Sequence, residues 1–169
     1  MYACLDTHYS ENSARTALVL FDAWSAETPA SSRVTTSATP AAYEPGKFYL
    51  RELPCLRNAL SEAPELPDVV VIDGHAWLAT ERPGLGERLH QALDRRTPVI
   101  GVAKSAFHGN NAAVPVFRGA SARPLYVSAS GISSQTAADR IREMHGPHRL
   151  PTLLKLADTL ARGGGPQTA

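Results

Sequence analysis

Cysteine is scarce in this chain: two residues in 169, Cys4 and Cys55. Two thiols support neither a disulfide framework nor a cysteine-ligated zinc site. Cys4 lies in a strand-like run and Cys55 on an apolar helix face, so both read as small buried hydrophobes. Long apolar runs are missing as well. No stretch is long enough to cross a membrane, and the N-terminus lacks the basic and apolar segments of a secretion signal. A cytoplasmic protein without a membrane partner is expected. An excess of one charge is also missing, with 17 Lys and Arg against 16 Asp and Glu. A nucleic-acid surface would therefore have to be local, drawn from Arg82, Arg88, Arg95, Arg96, Lys104, His108, Arg118, Arg123 and Arg149. There is no Gly-rich phosphate loop, which argues against a phosphotransferase, and no internal repeat.

What is present suits a soluble globular domain: 43% hydrophobic and 20% charged residues, at a length that supports one core rather than two. A single domain is expected over 1–162, with a disordered tail over 163–169.

The most informative feature is how the strands end. Val69-Val70-Val71-Ile72 is a buried-strand signal that runs directly into Asp73-Gly74-His75. A carboxylate there needs a cation, because an unpaired buried charge is costly. Ala3-Cys4-Leu5 likewise ends in Asp6, and the run from Pro98 to Ala103 ends in Lys104. One such Asp alone is as well explained by a turn or cap. Three charged strand ends, with Glu52, point to a single polar site.

Periodicity gives the order of elements. Strands are expected at 2–8, 15–22 and 31–38, an antiparallel meander with the third strand more exposed. Pro40 and Pro45-Gly46 break the pattern. A helix over 51–62 follows, with Leu53, Leu56 and Leu60 on one stripe. Then come a strand at 68–73, a loop, a helix at 84–95 and a strand at 98–103. Residues 105–122 read as loop with one short strand at 114–117, followed by a strand at 125–128 and helices at 135–144 and from 151 or 152 to 162. Three strands leading into β-α-β units describe an α/β fold, a mixed sheet with helices on both faces, of the ribonuclease H-like type. On the final helix Leu153, Leu156, Ala157 and Leu160 form the core stripe, and Asp158 lies on the adjoining stripe with Leu154 and Ala161.

Five motifs in register carry a resemblance. Tyr43-Glu44-Pro45-Gly46 precedes Arg51-Glu52. Val71-Ile72-Asp73-Gly74-His75 follows, then Ile100-Gly101-Val102-Ala103-Lys104. Arg149-Leu150-Pro151 stands before Leu156-Ala157-Asp158. Together, from Cys4 to Ala161, they resemble endonuclease V. The resemblance implies a metal-dependent endonuclease that cuts 3′ of a deaminated adenine, deoxyinosine or inosine, in DNA or RNA. It implies Asp6, Glu52 and Asp73 as metal carboxylates with Asp158 as an additional ligand, and Lys104 as the basic partner near the scissile phosphate. Mg²⁺ is the implied ion, with Mn²⁺ as an alternative, and hard cations of this kind take oxygen ligands. Tyr43, Pro45 and Gly46 match the wedge loop that fills the space of an extruded base. Gly74 and Ala103 match positions that approach the base. His75 reads equally as a phosphate contact or as a satisfied loop histidine.

The chain also departs from the family. Glu44 stands where an apolar residue is usual, 76–82 replaces a more basic segment, and Ser130-Gly131 replaces a Gly-His-Arg. These changes keep the carboxylates and thin the nucleic-acid contacts. A ribonuclease H-like nuclease with another target, or a non-catalytic nucleic-acid-binding relative, therefore stays open at this point. The sequence carries no sign of an oligomeric state.

Overall fold

The computed structural model describes residues 1–38 and 49–165. Its N-terminal third is a meander. β1 (Tyr2–Tyr9), β2 (Ser13–Phe21) and β3 (Ser31–Ala38) pair antiparallel in sequence order. β3 is the sheet edge, where exposed Ser31, Arg33, Val34, Thr36 and Ala38 interleave with half-buried Ser32, Thr35 and Ser37, which suits an edge facing water. Leu18-Val19-Leu20-Phe21 is buried throughout, because helices cover both sides of β2.

After α1 (Tyr49–Ser61), β4 (Val69–Asp73) pairs parallel to β1 on the other side of the meander. A small hairpin follows, β5 (Trp77–Ala79) with β6 (Arg82–Pro83), then α2 (Leu85–Ala92). β7 (Val99–Ala103) adds parallel to β4, while β8 (Val114–Val116) and β9 (Leu125–Ser130) close the far edge antiparallel. The seven-stranded order is β3-β2-β1-β4-β7-β9-β8. Finally α3 (Ser134–Glu143) and α4 (Thr152–Ala161) fold back over the sheet.

Two cores result, one per face. Leu56 of α1 and Leu89 of α2 pack on Leu5, Val70 and Ile72. Ile141 of α3 and Leu153 and Leu154 of α4 pack on Cys4, Val71, Ile100 and Val127. The two-residue period of a strand sends Leu5 one way and Cys4 the other. The same period fixes the side of the polar residues. Asp6 continues the Cys4 face and Asp73 the Val71 face, so both point toward α4. Cys4 and Cys55 are buried and unpaired, as expected of small hydrophobes. Among the described residues no helix is long and apolar enough to cross a membrane.

Three local differences from the sequence expectation have physical causes. The 84–95 helix stops at Ala92, because Asp94 and Arg95 adopt positive φ of 54° and 58°. There Arg95 turns back to donate to the buried Glu87 carboxylate at 2.9 Å. Residues 77–83, read as loop, form the β5–β6 hairpin, whose short irregular register leaves no clear alternation. On α4, Leu154 is buried and Leu156 only half-buried, so the core stripe is rotated slightly from the one expected.

Candidate active site

The carboxylates converge at the end of β4; Asp6, expected at a strand end, instead lies within β1, which stays paired to β2 as far as Tyr9. Asp6 sits on β1, one step beyond the last β1–β4 pair, Leu5 with Ile72. Asp73 is the final residue of β4, opposite Val102 of β7. α4 crosses β1 and delivers Asp158 from above. Carboxylate oxygens of Asp6, Asp73 and Asp158 all lie within 4.8 Å of one another. Glu52, on the first turn of α1, approaches from the opposite face and is 6% exposed. It stands outside that tight trio but feels the charges of Asp6 and Asp73.

Crowded acids resist ionisation. Burial first, then Asp73 and Asp158, push the Asp6 carboxyl up to about 7. Burial first, then Asp6 and Asp73, push Glu52 up to about 8. Asp158 goes the other way. Its burial would raise it, but Arg162, 2.9 Å away, and Lys104 outweigh that and hold it below the usual range. Burial would likewise lower Lys104, yet its ion pair with Asp73 at 2.5 Å and the charges of Asp158 and Asp6 hold its ammonium above the usual value. The donors are all hard oxygens, which suits Mg²⁺ or Mn²⁺ rather than a thiophilic metal.

The turn after Asp73 is held from below. Gly101 of β7 lies directly under it, and a Cβ there would come within 2.2 Å of the Ala76 nitrogen and 2.6 Å of the Gly74 carbonyl. Ser128, in the middle of β9 and fully buried, accepts from the backbone N–H groups of Ala76 at 3.0 Å and Trp77 at 3.3 Å. Gly74 has φ of +133° and open space where a Cβ would stand. The His75 ring is engaged on both sides, with Nε2 3.1 Å from the Ser105 carbonyl and Nδ1 3.4 Å from the Asn110 amide. Burial lowers its pKa, which favours a neutral ring donating to Ser105. Ala103 closes β7 and is buried. Arg149 donates to the carbonyls of Lys104 and Pro124, tying the α3–α4 connection to the end of β7.

This succession of motifs, on this topology and around this cluster, matches one family of proteins. A sequence profile described as Endonuclease V aligns with residues 1–123. The chain is 30% identical to the endonuclease V of Roseiflexus sp. (strain RS-1) over 182 residues, which is 96% of this chain and 81% of the relative. This chain belongs to the endonuclease V family. The endonuclease V crystal structure from Streptomyces avermitilis is similar at a TM-score of 0.80 and 25% identity, covering 96% of this chain and 79% of that one. Ciona intestinalis endonuclease V, in complex with a 24mer DNA containing an inosine followed by a ribo-adenosine, has the same fold. Its TM-score is 0.79 at 22% identity, over 96% and 84% of the two chains. The ribonuclease H-like fold is thus established for this endonuclease V relative.

The structure brings Asp6, Asp73, Asp158 and Lys104 together, places Glu52 behind them, sets Gly74 and His75 in the wall of a neighbouring cavity, and leaves Ala103 buried at the end of β7. Tyr43, Pro45 and Gly46 lie outside the described residues. One surface expectation is corrected. Arg118 is 8% exposed and donates to the backbone carbonyls of Met144, Gly146, His148 and Arg149, so it braces a turn rather than offering charge. Arg95 is likewise committed to Glu87. Ser128, Asn110 and Arg162 were missed. Arg162 had a readable signal, its i,i+4 spacing from Asp158. Ser128 had only its position as a polar residue inside an apolar strand.

Proposed function

We propose that this chain is a metal-dependent endonuclease that hydrolyses a phosphodiester bond 3′ of deaminated adenine in DNA or RNA. The observation that carries the reading is the convergence of Asp6, Asp73 and Asp158 within 4.8 Å, with Lys104 against Asp73. The relative from Ciona intestinalis, crystallised on inosine-containing DNA, supports the choice of substrate.

In this reading Asp6, Asp73 and Asp158, with Glu52 behind them, would hold one or two divalent ions. Such an ion would supply Lewis-acid polarisation of the phosphoryl group and a more acidic water. The chain's own groups do the rest. Lys104 offsets negative charge growing on the phosphate. Glu52 and Asp6, whose carboxyls burial and neighbouring acids hold high, would serve as ligands in their deprotonated form. Ser128 and Gly101 hold the Asp73-Gly74-His75 turn rigid, so the carboxylate and the open backbone at Gly74 keep their separation. Gly74 and Ala103 line the approach of the extruded base, and Tyr43, Pro45 and Gly46 fill the space it leaves. His75 acts by positioning that turn through Ser105 and Asn110.

Matched inosine and adenosine oligonucleotides, as DNA and as RNA, incubated with Mg²⁺, Mn²⁺ or EDTA test the proposal. Metal-dependent cutting confined to the inosine strands is expected. Equal cutting of both strands would instead make the chain a less specific nuclease. Binding without cleavage would make it a non-catalytic relative.

A further inference from the structure

Cations flank the acidic trio on two sides. Lys104 stands beyond β7, paired with Asp73. On the other flank, over β1 and β2, stand Arg15 and Arg162. Side chains two apart on a strand share a face, so His8 follows Cys4 and Asp6 on the α4 side of β1. Arg15 of β2 lies directly across from His8, as Ala17 lies across from Asp6. α4 packs over both strands. Arg162 follows one turn after Asp158, with its Nε 2.9 Å from the Asp158 carboxylate.

Arg15 is half-buried and poorly provided for. Its Nη2 has one long contact, 3.5 Å to the Leu160 carbonyl. Its Nε is buried with no hydrogen-bond partner among the described residues. Arg118, by contrast, spends its guanidinium on four backbone carbonyls. A cap on the C-terminus of α4 accounts for the Leu160 contact but leaves most of the five donors of Arg15 unused. The Arg15 guanidinium carbon lies 3.9 Å from where a Cβ on Gly163 would stand, so the fork reaches the residue next to Arg162. Arg162 is exposed and commits only its Nε, to Asp158, among the described residues.

We propose that Arg15 and Arg162 form a subsite for the phosphate next to the scissile one. The inference rests on the reading of the chain as a nuclease. Neighbouring strands are about 4.8 Å apart, so the path from β7 across β4 and β1 to β2 is roughly 14 Å, room for more than one phosphate of a single strand. The scissile phosphate sits over the trio, with Lys104 on one side. Its neighbour along the strand then lies over β1 and β2, where two guanidinium forks supply the charge and donors a phosphate takes. Arg162 bridges the two positions, holding Asp158 with Nε and the phosphate with its outer nitrogens. These contacts touch only the backbone, so they serve DNA and RNA alike and carry no base preference.

The test removes the charge from either side of the contact. A methylphosphonate replaces one phosphate oxygen with an uncharged methyl group. Inosine-containing DNA with one such linkage, on either side of the scissile bond, is cut with Mg²⁺ in single turnover by the wild type, Arg15→Gln and Arg162→Gln. Binding to the unmodified strand is followed in EDTA from about 50 to 200 mM salt. One of the two neutral linkages should slow the wild type roughly tenfold, and each variant should have lost most of that sensitivity. Each variant should also reduce the slope of log K against log salt by about 0.7–0.9. The wild-type comparison stands even if a variant folds poorly, and a thermal melt reports that. Variants as sensitive as the wild type to the same linkage overturn the proposal. An Arg15→Gln protein that melts lower but keeps the full salt slope makes Arg15 a cap on α4 and overturns it too. A wild type that cuts and is blind to both neutral linkages defeats only the subsite. A wild type that cuts no strand with Mg²⁺ or Mn²⁺ defeats the nuclease reading as well.

Discussion

Replacing Glu52 with Gln should stabilise the metal-free protein, and by an amount that depends on pH. Glu52 is almost wholly buried, and its carboxyl is raised from 4.5 to about 8 by burial, Asp6 and Asp73. In the unfolded chain it ionises above 4.5, while in the folded chain it ionises only near 8. Its contribution to stability is therefore fully present below pH 4.5 and is lost as pH rises toward 8. Above that both states are ionised and nothing further is lost. Gln has the same shape and does not titrate, so the difference between the two proteins isolates this residue. The full shift is worth roughly 5 kcal/mol at about 1.4 kcal/mol per tenfold step, and an effective interior dielectric well above the dry value brings it to about 2–3 kcal/mol. Melting in EDTA should give equal Tm values near pH 4.5. At pH 8.5 Glu52→Gln should melt roughly 4–10 °C higher. Added Mg²⁺ should raise the wild type more than the variant and narrow the gap. A Tm difference that stays constant from pH 4.5 to 8.5 would show that Glu52 does not carry a strained proton, and would remove it from the cluster.

Other outcomes follow from the same geometry. Asp73→Asn should lower metal-dependent cleavage by about a hundredfold or more while leaving the circular dichroism spectrum unchanged, since Asp73 sits at a strand mouth rather than in the core. Ser128→Ala leaves the Ala76 and Trp77 N–H groups without their acceptor and should cost about 2 kcal/mol, read as a Tm lower by roughly 4–8 °C. Tyr43→Ala should reduce the ratio of inosine to adenosine cutting by roughly tenfold and leave Mg²⁺ affinity, measured by calorimetry, unchanged.

What could be read in advance was whatever has a local period or a local conflict. Val69-Val70-Val71-Ile72 announces a strand covered on both faces, and Asp73 at its end announces a charge needing company. The meander and the buried cysteines were legible for the same reason. Asp158 was legible only as a charge beside the core stripe of a helix, where a carboxylate is ordinarily solvated. Its fate depended on the crossing of α4 over β1, which no window of sequence encodes. Asp158 thus stands within the tight trio and Glu52 behind it. Arg118 was misjudged on the same grounds. Its carbonyl partners lie 26 to 31 residues away, so its burial has no local signature. Ser128 reaches 52 residues back to Ala76, beyond any periodic signal.

The crossing of α4 also bears on the order in which this protein assembles during synthesis. Asp6 and Asp73 stand on neighbouring parallel strands, whereas Asp158 follows on a helix near the end of the described chain and is synthesised last of the three. Until α4 docks, the acidic pair lies open to water, and the face of β1 and β2 that α4 covers exposes apolar side chains. Docking buries Leu153, Leu154 and Leu160, at about 2 kcal/mol each, and thereby forces a third carboxylate onto the first two. The hydrophobic closure of that face is thus what drives the electrostatic compression of the site. A nascent chain arrested near residue 150 would be left sticky and unable to gather the acidic trio, so chaperone dependence should end, and metal capture begin, at the same step.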